Sequence, residues 1–91
     1  MKTIPPEESL IVYPCDFPIK VMGRAHDDFA RAMAEVALGF DPTFDPASIE
    51  IRPSASGNYL GLTLTVHVTS REQLDNLYRA LHGHEMVSVV L

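Results

Sequence analysis

An α+β fold, a four-stranded antiparallel sheet with two helices packed on one face, is predicted by three features of this sequence. Tyr59–Thr69 alternates apolar and polar residues without a break, as a strand with one buried face does. Asp27–Leu38 and the segment after Ser70 repeat apolar residues at helical spacing. Short β-branched runs stand before, between and after these segments. The resulting order is β-α-β-β-α-β.

The first eighteen residues hold four of the seven prolines, Pro5, Pro6, Pro14 and Pro18. Each lacks an N–H and holds its predecessor extended. Residues 1–13 therefore read as a proline-containing tail and residues 14–91 as the single domain. Leu10–Phe17 is an extended lead-in that lays Leu10, Val12 or Phe17 against the core. Ile19–Met22 is the first strand, ended by Gly23. In the first helix, Phe29, Met33, Val36, Ala37 and Phe40 define one face. Asp27 and Asp28 occupy its first turn, where the helix dipole favours carboxylates. Gly39 is its left-handed terminator, and Pro42 and Pro46 forbid continuation.

Ser48–Arg52 is the second strand, and Pro53 makes it an edge. Ser54–Asn58 has the composition of a hairpin loop. In the third strand Leu60, Leu62, Leu64, Val66 and Val68 face the core, while Gly61, Thr63, Thr65 and His67 face away. Ser70 and Gln73 form a capping-box pattern for the second helix. Leu74, Leu77, Tyr78 and Leu81 are its apolar stripe, Gly83 its end, and Met86–Leu91 the fourth strand. Right-handed crossovers close this order as a ferredoxin-like sheet.

Net charge is −5, with seven basic residues scattered among twelve acidic ones. That disfavours nucleic acids and anionic membrane surfaces as partners. One cysteine, Cys15, forms no disulfide framework. It fits a reducing cytoplasm, and no apolar run is long enough to span a bilayer.

Candidate chemistry is sparse. His82 and His84 lack the spacing and partners of a metal site, so no metal and no cofactor is expected. His67 stands among threonines without a carboxylate or nucleophile placed beside it by the sequence. Cys15, followed by Asp16, lacks the positive surroundings of a reactive thiol. Ser54–Asn58 lacks the lysine and following helix of a phosphate loop. The turn Gly23-Arg24-Ala25-His26 is the best anion-binding candidate, because helix N-termini hold anions and an arginine adds a bidentate contact. Asp27 and Asp28 oppose that role. The open sheet face carries no aromatic at its central positions, which argues against base stacking.

Several segments together resemble the YbeD-like family of small bacterial proteins. They are Phe17-Pro18-Ile19-Lys20-Val21-Met22-Gly23, Ser56-Gly57-Asn58-Tyr59, the Leu74/Leu77/Tyr78/Leu81 helix and the terminal Val90-Leu91. The resemblance covers about residues 14–91. It implies a ferredoxin-like fold similar to ACT-type regulatory domains, a regulatory role and a link to lipoate metabolism. It carries no catalytic residues. Ser56 stands where the family often has a basic residue, and the Pro5-Pro6-Glu7-Glu8 tail lacks an evident counterpart.

These readings together describe a non-enzymatic regulatory or interaction module, weakly homodimeric, that takes a small metabolite or a protein partner. By analogy with ACT-type domains its candidate binding residues are Lys20, Gly23, Arg24, His26, Gly57, Asn58 and Tyr59. Thr63, Thr65 and His67 form an open sheet face compatible with pairing to a second protomer and equally with plain exposure to solvent. The competing reading is a small acyl-phosphate hydrolase on the same fold. Arg24 would serve it, but its glycine-rich loop and strand asparagine are absent.

Overall fold

The computed structural model describes residues 12–91. Its elements are β1 (Cys15–Arg24), α1 (Phe29–Phe40), β2 (Glu50–Pro53), β3 (Tyr59–Val68), α2 (Arg71–His82) and β4 (Val89–Val90). The strands form one antiparallel sheet in the order β2-β3-β1-β4. The fold class matches the sequence reading. The expected contact from Leu10 lies outside the described residues.

The centre of the sheet is the β1–β3 ladder, in register from Cys15 opposite Val68 to Arg24 opposite Tyr59. Alternation decides which side chains face the helices. Ile19 and Val21 of β1 and Leu62, Leu64, Val66 and Val68 of β3 are buried against Phe29, Met33, Ala34 and Ala37 of α1 and Leu74, Leu77 and Leu81 of α2. Each fully buried aliphatic side chain contributes about 1.5–3 kcal/mol.

Strand β1 is longer than the Ile19–Met22 expected. Pro18 does not break it. The carbonyls of Lys20 and Met22 accept hydrogen bonds from Leu91 and Ser88 on the β4 side. Pro18 has the same parity, so its N atom points that way too, past the end of the two-residue β4. No ladder hydrogen bond is lost there. Cys15 and Phe17 thereby belong to the strand rather than to a lead-in. Tyr13, assigned to the tail by the sequence, packs against the core, whereas Val12 is exposed.

Helix α1 begins two residues later than expected, so Asp27 and Asp28 precede it. Asp28 is its N-cap without a side-chain cap bond, and its carboxylate instead holds Arg31 at 2.7 Å. Gly39 does not terminate the helix. The only positive-φ glycine among the described residues is Gly57, at φ 77°. Asp41 takes up an extended conformation and closes the last turn through its N–H to Ala37 O, and Pro42 stops propagation. A Cβ added at Gly39 meets nothing within 4 Å. Gly39→Ala should therefore stabilise the domain by about 0.5–1 kcal/mol, read as a raised Tm.

A single 3₁₀ turn, Pro46–Ser48, capped by the Asp45 carboxylate accepting from Ala47 N, shortens β2 at its start. Strand β2 is an edge, as Pro53 indicates. Strand β4 is shorter than Met86–Leu91, because Met86 and Val87 belong to a turn in which Val87 N donates to His84 O.

Candidate functional site: the open face of the sheet

The helices cover one face of the sheet. The other is formed by the alternate residues of β1 and β3, met in cross-strand pairs: Asp16 with His67, Pro18 with Thr65, Lys20 with Thr63, Met22 with Gly61, and Arg24 with Tyr59. Glu50 and Arg52 of β2 extend the face on one side. Val89 of β4 and Leu91 extend it on the other. The two candidate sites read from the sequence are therefore two ends of one surface.

At one end the Arg24 guanidinium lies 5.9 Å from the centre of the Tyr59 ring, within cation–π range. Ala25 N donates to Asn58 O at 2.9 Å, tying the turn after β1 to the β2–β3 loop. The Tyr59 ring is at the edge of the face, so the central positions lack an aromatic as expected. At the other end His67 Nδ1 is 3.1 Å from Asp16 Oδ1, an exposed pair whose partner the sequence did not disclose. Between the ends lies a groove of about 690 Å³ lined by Lys20, Met22, Arg52, Gly61, Thr63 and Leu91 with neighbouring residues.

Several expected binding residues have structural duties. Gly23 is buried, and a Cβ there would stand 2.1 Å from Met86 O and 2.7 Å from Phe29 Cζ. It has no room for a ligand. His26 Nδ1 accepts from Asp28 N at 3.0 Å, and His26 O accepts from Phe29 N. The histidine thus satisfies donors at the start of α1 that an anion would need. In the loop, Gly57 N donates to Ser54 O, Asn58 N to Ser56 Oγ and Tyr59 N to Ser54 Oγ. These N–H groups are already engaged, so Gly57 and Asn58 offer no anion nest. Ser56 supports the loop rather than projecting a charge.

The histidines near the chain end also have local roles. His84 Nδ1 accepts from Met86 N, and the His82 ring stacks on Tyr78. Among the described residues no three His, Cys, Asp or Glu side chains gather as a metal site, and no helix is long and apolar enough to cross a membrane.

The family described as protein of unknown function, DUF493, matches residues 8–91. The chain belongs to the DUF493 family. A UPF0250 protein of Bordetella pertussis is 72% identical to it over 91 residues, covering 100% of both chains. One from Ralstonia nicotianae is 62% identical over 87 residues, covering 96% of this chain and 90% of the relative. These relatives bear out the family resemblance read from the Lys-Val-Met-Gly and Gly-Asn-Tyr segments. The first alignment includes the N-terminal residues, so the tail has a counterpart there. The solution structure of protein HP0495 from H. pylori is similar with a TM-score of 0.76 at 14% identity, covering 100% of this chain and 96% of that one. It supports the ferredoxin-like fold of DUF493 and nothing beyond the fold.

Asp41 of the DUF493 domain escaped the sequence reading, and Gln73 does more than the cap expected of it. Asp41, 4% exposed, ends α1. Its carboxylate accepts from Thr43 N at 2.9 Å, Thr43 Oγ1 at 2.5 Å and His67 N at 2.9 Å. Strand β2 begins at Glu50, opposite Thr63, too late in the chain to pair with His67, and the Asp41 carboxylate accepts from His67 N in its place. Burial opposes ionisation of Asp41, but these hydrogen bonds and the nearby His67 outweigh it and lower its pKa from the ordinary 3.8. Gln73 joins three elements. Its amide nitrogen donates to Phe40 O at 2.7 Å and His67 O at 3.3 Å, and its oxygen accepts from Thr69 N at 2.6 Å. The Ser70 half of the capping box forms as expected, at 3.1 Å to Gln73 N. The glutamine half binds Thr69 instead of Ser70.

Asp41→Asn should cost about 2 kcal/mol near neutral pH. A carboxyl with a lowered folded pKa stabilises above its unfolded value and loses that contribution as pH falls through the folded one. The gap between wild type and variant should therefore be full well above 3.8 and shrink below it. Urea melts across that range check this.

Proposed function

We propose that this DUF493 chain is a non-enzymatic regulatory or interaction module of ACT-like type that binds its partner on the open face of the sheet. The observation that supports this most is the uncovered β1–β3 face. It exposes Met22 (38%), Val89 (44%) and Leu91 (70%) side by side, on the face of the β1–β3 ladder turned away from the core. Lys20, Arg24, Tyr59, Thr63, Thr65 and His67 are the expected site residues that reach this face. The resemblance to the YbeD-like family, which implies a fold similar to ACT-type domains, suggests the regulatory role, and cytoplasmic work in a bacterial cell accords with its composition.

The hydrolase reading has less support. A phosphate loop after β1 would need space at Gly23, which Met86 and Phe29 occupy. Arg24 is turned onto Tyr59, and β3 has no asparagine. Turnover of a model acyl phosphate, abolished by Arg24→Ala, would restore it. Lipoyl and octanoyl compounds, suggested by the family link to lipoate metabolism, belong in a thermal-shift screen of the metabolite version.

The proposal is tested by sizing the chain in extracts of its own cells. Wild type should elute well above its 10.1 kDa monomer. Thr65→Asp, on the exposed face, should elute as a folded monomer. Monomeric elution of both proteins, whether the partner sought is a second copy or another chain, would contradict an interaction role.

A further inference from the structure

We infer that the open face takes an amphipathic helix of a partner protein, with carboxylates flanking the helix's apolar stripe. This rests on the reading of that face as the working surface and adds the chemistry of its occupant.

The first observation is the placement of positive charge. On the helix side Arg31 is held by Asp28 at 2.7 Å and Arg71 by Asp75 at 3.5 Å, while Arg79 donates to Asn76 Oδ1 at 3.0 Å. Lys20, Arg24 and Arg52 form no ion pair among the described residues. All three lie on the open face. Arg79 also lacks an ion pair, on the helix side, and Glu50 is an unpaired carboxylate on the open face. In a chain of net charge −5, the open face thus gathers three of the four unpaired cations among the described residues against one unpaired carboxylate. Such a surface selects and steers an anionic partner.

Spacing separates a row of anions from a single one. Lys20 and Arg24 are four residues apart along β1, about 13 Å at 3.3 Å per residue. Arg52 lies two strands from Met22, about 10 Å across the sheet. No single small anion reaches all three. Glutamates two turns apart on a helix stand about 11 Å apart, which lies between these two separations.

On the β4 side of Lys20 and Arg24 the surface is apolar. Met22, Val89 and Leu91 occupy neighbouring strand positions, a strip about as wide as a helix, 10–12 Å. Gly61 stands opposite Met22. A glycine inside a strand weakens it. Here a Cβ would meet only Arg52 O, at the ordinary distance of 3.6 Å, so packing within the chain does not demand one. A strand glycine of this kind leaves room for close approach from outside.

The test uses the ¹⁵N-labelled full chain and a designed peptide of about five helical turns, with leucine on one stripe and glutamate on both flanks. Amide shifts should concentrate at Lys20, Met22, Gly61, Thr63 and Val89, with binding that weakens as salt is raised. Gly61→Ala, whose added Cβ meets only Arg52 O at 3.6 Å, and the double change Lys20→Glu with Arg52→Glu should each weaken it, the double change at least about tenfold, while leaving the remaining spectrum intact. The same peptide with lysine for glutamate should not bind. Equal binding of the lysine peptide, tighter binding of a single-stranded RNA, shifts confined to the helices, or no shift at millimolar peptide would each overturn the inference. If no peptide binds while the face is covered in native extract, the helix inference fails and the working-surface reading stands. An uncovered face sinks both.

Discussion

Leu64→Asp is expected to abolish folding. Leu64 is 0% exposed on β3, the strand that pairs with both β1 and β2. The substitution removes a buried aliphatic side chain and places a carboxylate where nothing compensates it. The lost burial alone costs about 2–3 kcal/mol. Desolvating the unpaired charge, or raising its pKa until it is neutral, adds several more. Against a total stability of about 5–15 kcal/mol for a small domain, little or no native state survives. Far-UV circular dichroism and a missing thermal transition check this. Thr65→Asp, one residue on, places the same charge in water and should keep the wild-type transition within a few degrees. The pair tests the alternation directly, because a shift of one residue would exchange the two outcomes.

Gly23→Ala is expected to be the second most damaging change. One methyl group would stand 2.1 Å from the Met86 carbonyl oxygen and 2.7 Å from the Phe29 ring. The oxygen is backbone and cannot rotate away. Relief requires moving the Met86 turn off β1 or displacing Phe29, the first residue of α1 and fully buried. Overpacking of this kind costs about 3 kcal/mol or more, a fall in Tm of roughly 12–24 °C for a domain of this size. Gly39→Ala is its counterpart, since the same methyl group there meets nothing and should stabilise.

The comparison of these glycines shows what was legible in the chain. Periodicity gave both helices and the long alternating strand, because burial on one face writes itself into residue spacing. It could not say which glycine serves a turn, which a close approach and which a groove. Gly23 looked like a strand end and a ligand turn, but its role depends on Met86, distant in sequence. Gly39 looked like a helix terminator because the Asp41 side chain's bond to His67 is not a local signal. Phe44, lost to the sequence reading inside a run of turn residues, is buried in the core. For the candidate site, alternation along β3 placed Thr63, Thr65 and His67 correctly on the open face. The pairing of Arg24 with Tyr59 and of Asp16 with His67 required the β1–β3 register, which no local pattern carries. The bonds engaging His26 and the loop N–H groups were invisible for the same reason.

The central claim is that the uncovered sheet face is the surface through which this DUF493 chain acts. Hydroxyl-radical labelling of the chain in its native extract, compared with the purified protein, tests that most directly. Met22 and Tyr59 report the open face, and Leu38 of α1, itself 38% exposed, reports the helix side. Met22 and Tyr59 should be labelled in the purified chain and protected in the extract, with Leu38 unchanged. Equal labelling in both samples, or protection of Leu38 without Met22 and Tyr59, would contradict the account.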